Sequence, residues 1–321
     1  MGKKDTITKD YIRRPDIFAD IFNQFLYHGQ QKILSDNLIE LDTTEIADPY
    51  GADNAFVPEQ RYRDVAKLLA AMTDRKAAYC ILAVENESKV NYAMPVKDGL
   101  YDFMQLAKQV TEAAVAHKKS KMSGIKPTSD EYLSGFWKSD RLLPVVTLVI
   151  YFGAEEWDGP MSLKEMYADC DTEIVKYAAD YRINLIAPSR LSDEELDEFA
   201  TSFREIMKYI KYSTDGEKLK GAVSSDERFK RVERQAVDVI NVVTGSRVKY
   251  SKRKEMVDMC LAIQEIRKEG REEGRLEGEL IGVIRAYRKM NVSPEDAKSY
   301  IMEEYKKSEE ETDELLTKYW K

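Results

Sequence analysis

The 321-residue chain is 43% hydrophobic and 34% charged, with a formal net charge of −8, which fits a folded protein carrying long solvated helices. It has no apolar run near the roughly 18 residues that span a bilayer and no charged-then-apolar start, so a cytoplasmic protein without a membrane partner is expected. The acidic balance, 24 basic against 29 acidic residues through position 190 and 26 against 29 beyond it, argues against constitutive nucleic-acid binding.

Cys80, Cys170 and Cys260 stand singly, which makes neither a disulfide framework nor a zinc site. The two histidines, His28 and His117, disfavour His-based metal sites and nucleophile pairs. His28 ends an apolar helix as a C-terminal cap or half-buried side chain, and His117 reads as an exposed ring. Any chemistry therefore rests on carboxylates. Two basic clusters, Lys118-Lys119-Lys121-Lys126 and residues 247–254, suit either phosphate contact or solvated faces.

In chain order, Pro15 opens a helix at its favoured first position and Gly29 closes it. Ile17, Phe18, Ile21, Phe22, Phe25 and Leu26 share one face, while Asp16, Asp20 and Asn23 share another. Residues 36–45 read as a short strand running into a loop, and residues 46–60 read as loop from their Pro, Gly, Asp and Asn content. Residues 61–95 then read as a hairpin. A turn centred on Asp74-Arg75 makes facing positions sum to 149, which sets Asp64 opposite Glu85. Glu87 follows Glu85 on the same strand face. Facing carboxylates repel unless a cation or proton lies between them, so the arrangement suits a metal; a one-residue slip would send Asp64 to the other side.

A long amphipathic helix is predicted from Met94 to Lys119 on the pattern Val96, Leu100, Phe103, Met104, Ala107 and Val110. Residues 120–140 lack a period and read as loop. The run from Pro144 to Phe152 suits a strand buried on both faces. A helix at Ser162–Tyr167 and a strand at Arg182–Ala187 complete the sheet. Ser192 with Glu195 forms a capping box, and only helices follow. Gly270, Gly274, Gly278 and Gly282 recur every four residues within 263–290. Four helical glycines cost about 4 kcal/mol relative to alanine. Close approach of a second copy would offset this; a frayed charged linker is the rival reading. Ser293-Pro294-Glu295-Asp296 starts a small helical tail ending in Trp320. The fold expected is α/β, a mixed sheet flanked by helices over 1–190 and an all-helical region over 191–321.

Five runs in order, PDIFADIFNQFLYHG from Pro15, LDTTEIADPYGAD from Leu41, QRYRDVAK from Gln60, VENESKVNYAMPVKDGLYD from Val84 and RLLPVVTLVIYFGAEEWDGPMSLKEMY from Arg141, resemble the Rpn family of recombination-promoting nucleases, also named for transposases, within the PD-(D/E)XK nuclease superfamily. The resemblance spans most of 11–190, and the Glu- and Gly-rich stretch at 268–282 is similar to tails in that family. It implies a restriction-endonuclease-like core and Mg²⁺-dependent endonuclease hydrolysis of DNA phosphodiesters in recombination or mobile-element movement, with Mn²⁺ as an alternative ion. Asp64, Glu85 and the Asn86 carbonyl would hold the ion, with Asp20 adding an acid and Asp16 as its substitute. Such an ion keeps several waters and takes one or two carboxylates.

The superfamily pattern places Lys after these acids, and Gln is common among close relatives; this chain has Glu87. Glu87 would hold a second ion or act as a base, Lys89 would supply the missing charge, or activity would be weakened. The last alternative makes the chain a DNA-binding or oligomeric scaffold. Paired cuts on two strands would make a symmetric dimer, joined through the C-terminal helices, natural.

Overall fold

The computed structural model describes residues 3–41, 44–47, 59–62, 65–70, 78–120, 127–251 and 253–320. Two compact units divide the chain, residues 1–258 and 259–321. Among the described residues no helix is long and apolar enough to cross a membrane.

The first unit opens with helices α1 (Lys3–Arg13) and α2 (Pro15–Tyr27). Pro15 takes the first turn of α2, and the helix stops at His28, whose left-handed backbone (φ 50°) caps it. The strands follow as β1 (Leu38–Glu40), β2 (Thr44–Ala47), β3 (Glu59–Tyr62), β4 (Val65–Ala70) and β5 (Ala78–Glu87). Then come α3 (Met94–Ser120), α4 (Ser129–Ser134), β6 (Val145–Tyr151), α5 (Thr172–Val175) and β7 (Asn184–Ile186). Strands β1, β4, β5, β6 and β7 lie in that order in one mixed sheet. The pairs β1–β4 and β4–β5 are antiparallel, while β5–β6 and β6–β7 are parallel. A mixed α/β architecture is therefore what this unit has.

The hairpin register is the predicted one. Val65 faces Val84, Ala66 faces Ala83 and Leu69 faces Cys80, and a shift follows at Ala70, which faces Ala78. Asp64 and the turn around Asp74-Arg75 lie outside the described residues. Strand β6 is paired on both edges, and Leu148, Val149 and Ile150 are fully buried, as its unbroken apolar run requires.

Several local expectations change. Within 36–60, the pairs Thr44↔Tyr62 and Ala47↔Glu59 make β2 and β3 an antiparallel pair; four-residue polar strands are too short to show a period of two. Thr128 and Glu131 form a capping box that starts α4 inside the stretch expected to be loop. The segment expected to be a helix at Ser162–Tyr167 is one 3-10 turn, Leu163–Met166. His117 is not an exposed ring: it stacks on Trp137 at 3.8 Å, and its Nε2 lies 2.7 Å from Asp140 Oδ2.

The chain continues through α6 (Asp193–Asp197), α7 (Phe203–Tyr212), α8 (Gly216–Ser225), β8 (Val232–Glu233), α9 (Arg234–Thr244) and β9 (Met256–Val257). The capping box of Ser192 and Glu195 is present at α6. Strands β8 and β9 pair antiparallel, so the region after 190 is not all-helical. Nor does the first unit stop at 190, because side chains from its beginning are satisfied beyond that point. Buried Asp20 accepts from the Ala200 and Thr201 N–H groups, each at 2.8 Å, and from the Thr201 hydroxyl at 2.6 Å. Arg14 reaches Glu233 and Gln235, each at 2.7 Å. Phe152 meets Phe203 edge-on at 6.5 Å, and Phe203 meets Phe199 at 5.2 Å.

The second unit holds α10 (Met259–Lys289), α11 (Pro294–Tyr305) and α12 (Glu309–Tyr319). Its core is Leu280, Ile284 and Ile301, with Tyr305, Leu316 and Trp320 packed around them. Helix α10 runs unbroken through the four glycines, and among the described residues a Cβ added at any of them meets nothing within 4 Å. Ser293 caps α11 as expected.

Replacing Asp20 leaves three donors in the 200–201 turn without their acceptor. Asp20→Ala is expected to lower unfolding free energy by about 3 kcal/mol, and Asp16→Ala, at a half-exposed position, by under about 1 kcal/mol. Urea denaturation of both variants checks this.

Candidate active site

The parallel strands β5 and β6 end side by side, with Glu85 paired to Val149 and Glu87 to Tyr151. Ligand crevices in open α/β sheets sit outside the carboxyl ends of such strands. Alternation puts Glu85 and Glu87 on one face and the Asn86 side chain on the other. Glu85 is 1% exposed, a position where an ionised carboxylate requires a partner.

Helix α3 supplies that partner from its first turn. Lys97 Nζ lies 3.2 Å from Glu85 Oε2 and 2.7 Å from Glu87 Oε1. The link from Glu87 to Lys97 is short and held locally. The Ala93 N–H donates to Asn91 Oδ1 at 3.0 Å, and the Met94 N–H to the Asn91 carbonyl at 3.1 Å. A cation at a helix N-terminus opposes the macrodipole by about 0.3–1 kcal/mol. The several kcal/mol that a buried, unpaired carboxylate would cost is larger, so pairing decides where Lys97 stands. Burial by itself would lower the Lys97 pKa, but Glu85 and Glu87 outweigh it and hold the ammonium well above its ordinary range.

Deeper along α3, four side chains fasten the helix to the sheet and to the chain before β7. Tyr181 Oη donates toward Asp102 Oδ2 at 2.6 Å and lies 3.1 Å from Asp98 Oδ2. Thr147 Oγ1, on β6, donates to Asp102 Oδ1 at 2.6 Å. Burial first, then the carboxylates of Asp98 and Asp102, push the Tyr181 phenol above its ordinary pKa, so it remains a donor. This layer holds α3, and Lys97 with it, against the sheet.

Among the predicted site residues, the structure brings Glu85 and Glu87 together, with Asn86 between them in sequence. Asp64 lies outside the described residues. Asp20 is spent elsewhere: both its oxygens hold the 200–201 turn. Asp16 pairs with Arg14 at 2.5 Å. Lys89 is exposed, and the cation beside Glu87 is Lys97. Sequence reasoning missed Lys97 because it belongs to a helix ten residues on; the signal was a lysine in a helix first turn, where local electrostatics disfavour it.

Two carboxylates and the Asn86 carbonyl are hard oxygen donors of the kind Mg²⁺ takes. Both carboxylates already converge on one positively charged atom, so the residues present suit a cation. No cluster of three or more His, Cys, Asp or Glu side chains is gathered for a metal among the described residues. Comparison with protein-family models, curated proteins and solved structures finds no match for this chain.

Lys97→Met is expected to destabilise the protein by about 3 kcal/mol by stranding Glu85, and the Lys97→Met/Glu85→Gln double variant to recover most of that. Because the folded-state pKa of Lys97 is raised, its contribution is complete below about pH 10.4, the ordinary lysine value, and fades only as pH climbs through the folded value. Chemical denaturation of the three variants between neutral and alkaline pH reads both effects.

Proposed function

We propose that this protein is a metal-dependent DNA endonuclease of the Rpn type, built on a restriction-endonuclease-like core and acting in recombination or mobile-element movement. The observation that carries the reading is the convergence of Glu85, Glu87 and Lys97 at the carboxyl ends of two adjacent parallel strands. The mixed strand order agrees with that core. Asp64, Glu85 and the Asn86 carbonyl are the ligands assigned to Mg²⁺ or Mn²⁺, and Asp20 drops out because its oxygens are engaged. Such an ion lowers the pKa of a bound water and offsets charge on the phosphoryl group.

The chain's own groups do the rest. Water adds to phosphorus as the P–O ester bond breaks; Glu87 takes the water's proton, and the leaving oxygen takes one from solvent. Lys97 supplies the positive charge that Glu87 cannot, stabilising the charge that accumulates on the phosphoryl oxygens. Self-association through residues 263–290 belongs to the same proposal, since the open glycine row of α10 leaves room for a second helix.

A second reading rests on the same ammonium. Lys97 already pairs with both carboxylates, which is what a nuclease fold retained as a non-catalytic scaffold would need. Plasmid nicking separates the two. Purified protein with Mg²⁺ should nick or cut plasmid DNA, and Glu85→Gln and Asp64→Ala should each lose about a hundredfold or more of that rate. Full cutting by Glu85→Gln would overturn the assignment, and an inert wild type would favour the scaffold.

A further inference from the structure

Just past the ends of β5 and β6, Ser88, Phe152, Gly153 and Ala154 line a cleft of about 290 Å³, on the order of ten waters by volume. A smaller recess lined by Asn86 and Glu87 adjoins it, and Ser88 and Phe152 line both. Several donors line the cleft, beside apolar Phe152, Ile210, Leu219 and Val243. Lys4, half-buried in the first turn of α1, forms no ion pair among the described residues. The Ser88 and Thr214 hydroxyls have no hydrogen-bond partner among the described residues, and neither do the consecutive N–H groups of Gly153 and Ala154. Gly153 must stay bare, because a Cβ there would lie 2.1 Å from the Tyr151 ring.

Successive main-chain N–H groups beside an ammonium and hydroxyls make an anion site, and lysine binds phosphate as a point charge. The acids nearby do not close it: Glu87 is held by Lys97, and Asp5, in the recess, is exposed. We propose that this cleft receives a phosphate group of the nucleic-acid strand, a second contact beyond the scissile bond. The identity of that ligand rests on the nuclease reading; the anion site does not.

Binding of a fluorescent single-stranded oligonucleotide, measured by anisotropy in EDTA, tests the site without catalysis. Lys4→Gln should weaken binding about tenfold, as loss of a charged hydrogen bond predicts, while Lys4→Arg should retain it. Inorganic phosphate should compete against wild type and not against Lys4→Gln. Matched strands ending in a phosphate or a hydroxyl at the 5′ position identify the source. Tighter binding of the phosphorylated strand assigns a terminal monoester, and equal binding assigns an internal phosphodiester. Thr214→Val, on the exposed rim, guards against a folding artefact and should also weaken binding. Wild-type affinity in both Lys4→Gln and Thr214→Val overturns the inference even if plasmid is cut. Phosphate-sensitive binding by a protein that cuts no plasmid leaves the site standing and sinks the nuclease reading alone.

Discussion

Placing a carboxylate at Glu85, with 1% of the residue exposed, is the constraint around which the first unit is arranged. Desolvating an ion costs several kcal/mol even after relaxation, so the end of β5 holds together only if a cation reaches it. That cation is Lys97, and the demand fixes the start of α3 over the sheet. Tyr181, Asp102 and Thr147 then hold the helix from behind, tying α3 to β6 and to the chain just before β7. Lys97 Nζ lies 3.2 Å from an oxygen of Glu85 and 2.7 Å from one of Glu87.

A second long-range tie explains why the first unit is larger than composition suggests. Asp20 on α2 and the turn at 200–201 are 180 residues apart in sequence, and Arg14 and Glu233 are 219 apart. Each joins the opening helices to the segment after residue 190. A charge census divides the chain into similar halves at that point, but buried hydrogen bonds do not respect it.

How much of this was legible in the sequence depended on how local the cause was. The register of β4 against β5 follows from placing one turn centre between two adjacent strands: Val65 facing Val84 and Leu69 facing Cys80 are the pairs a 149 sum requires. Capping residues were equally readable, at Ser192 with Glu195 and at Ser293. The β2–β3 and β8–β9 pairs were not, because two to four residues cannot display a period. Lys97 escaped for a different reason. Its position is decided by a tertiary partner against local helix electrostatics, and such conflicts between levels concentrate at functional sites. His117, read as a solvated ring, gains its place from Trp137 and Asp140, contacts that no window of sequence reveals.

An ammonium between two carboxylates can serve a bound metal as a neighbour or stand in its place. Calorimetric titration of the full chain with Mn²⁺ decides between these, with Glu85→Ala as the control. If Glu85 is a metal ligand, wild type binds one ion with measurable heat and Glu85→Ala loses that heat. A flat titration of wild type, or identical heats from the two proteins, would contradict a metal centre at the end of β5.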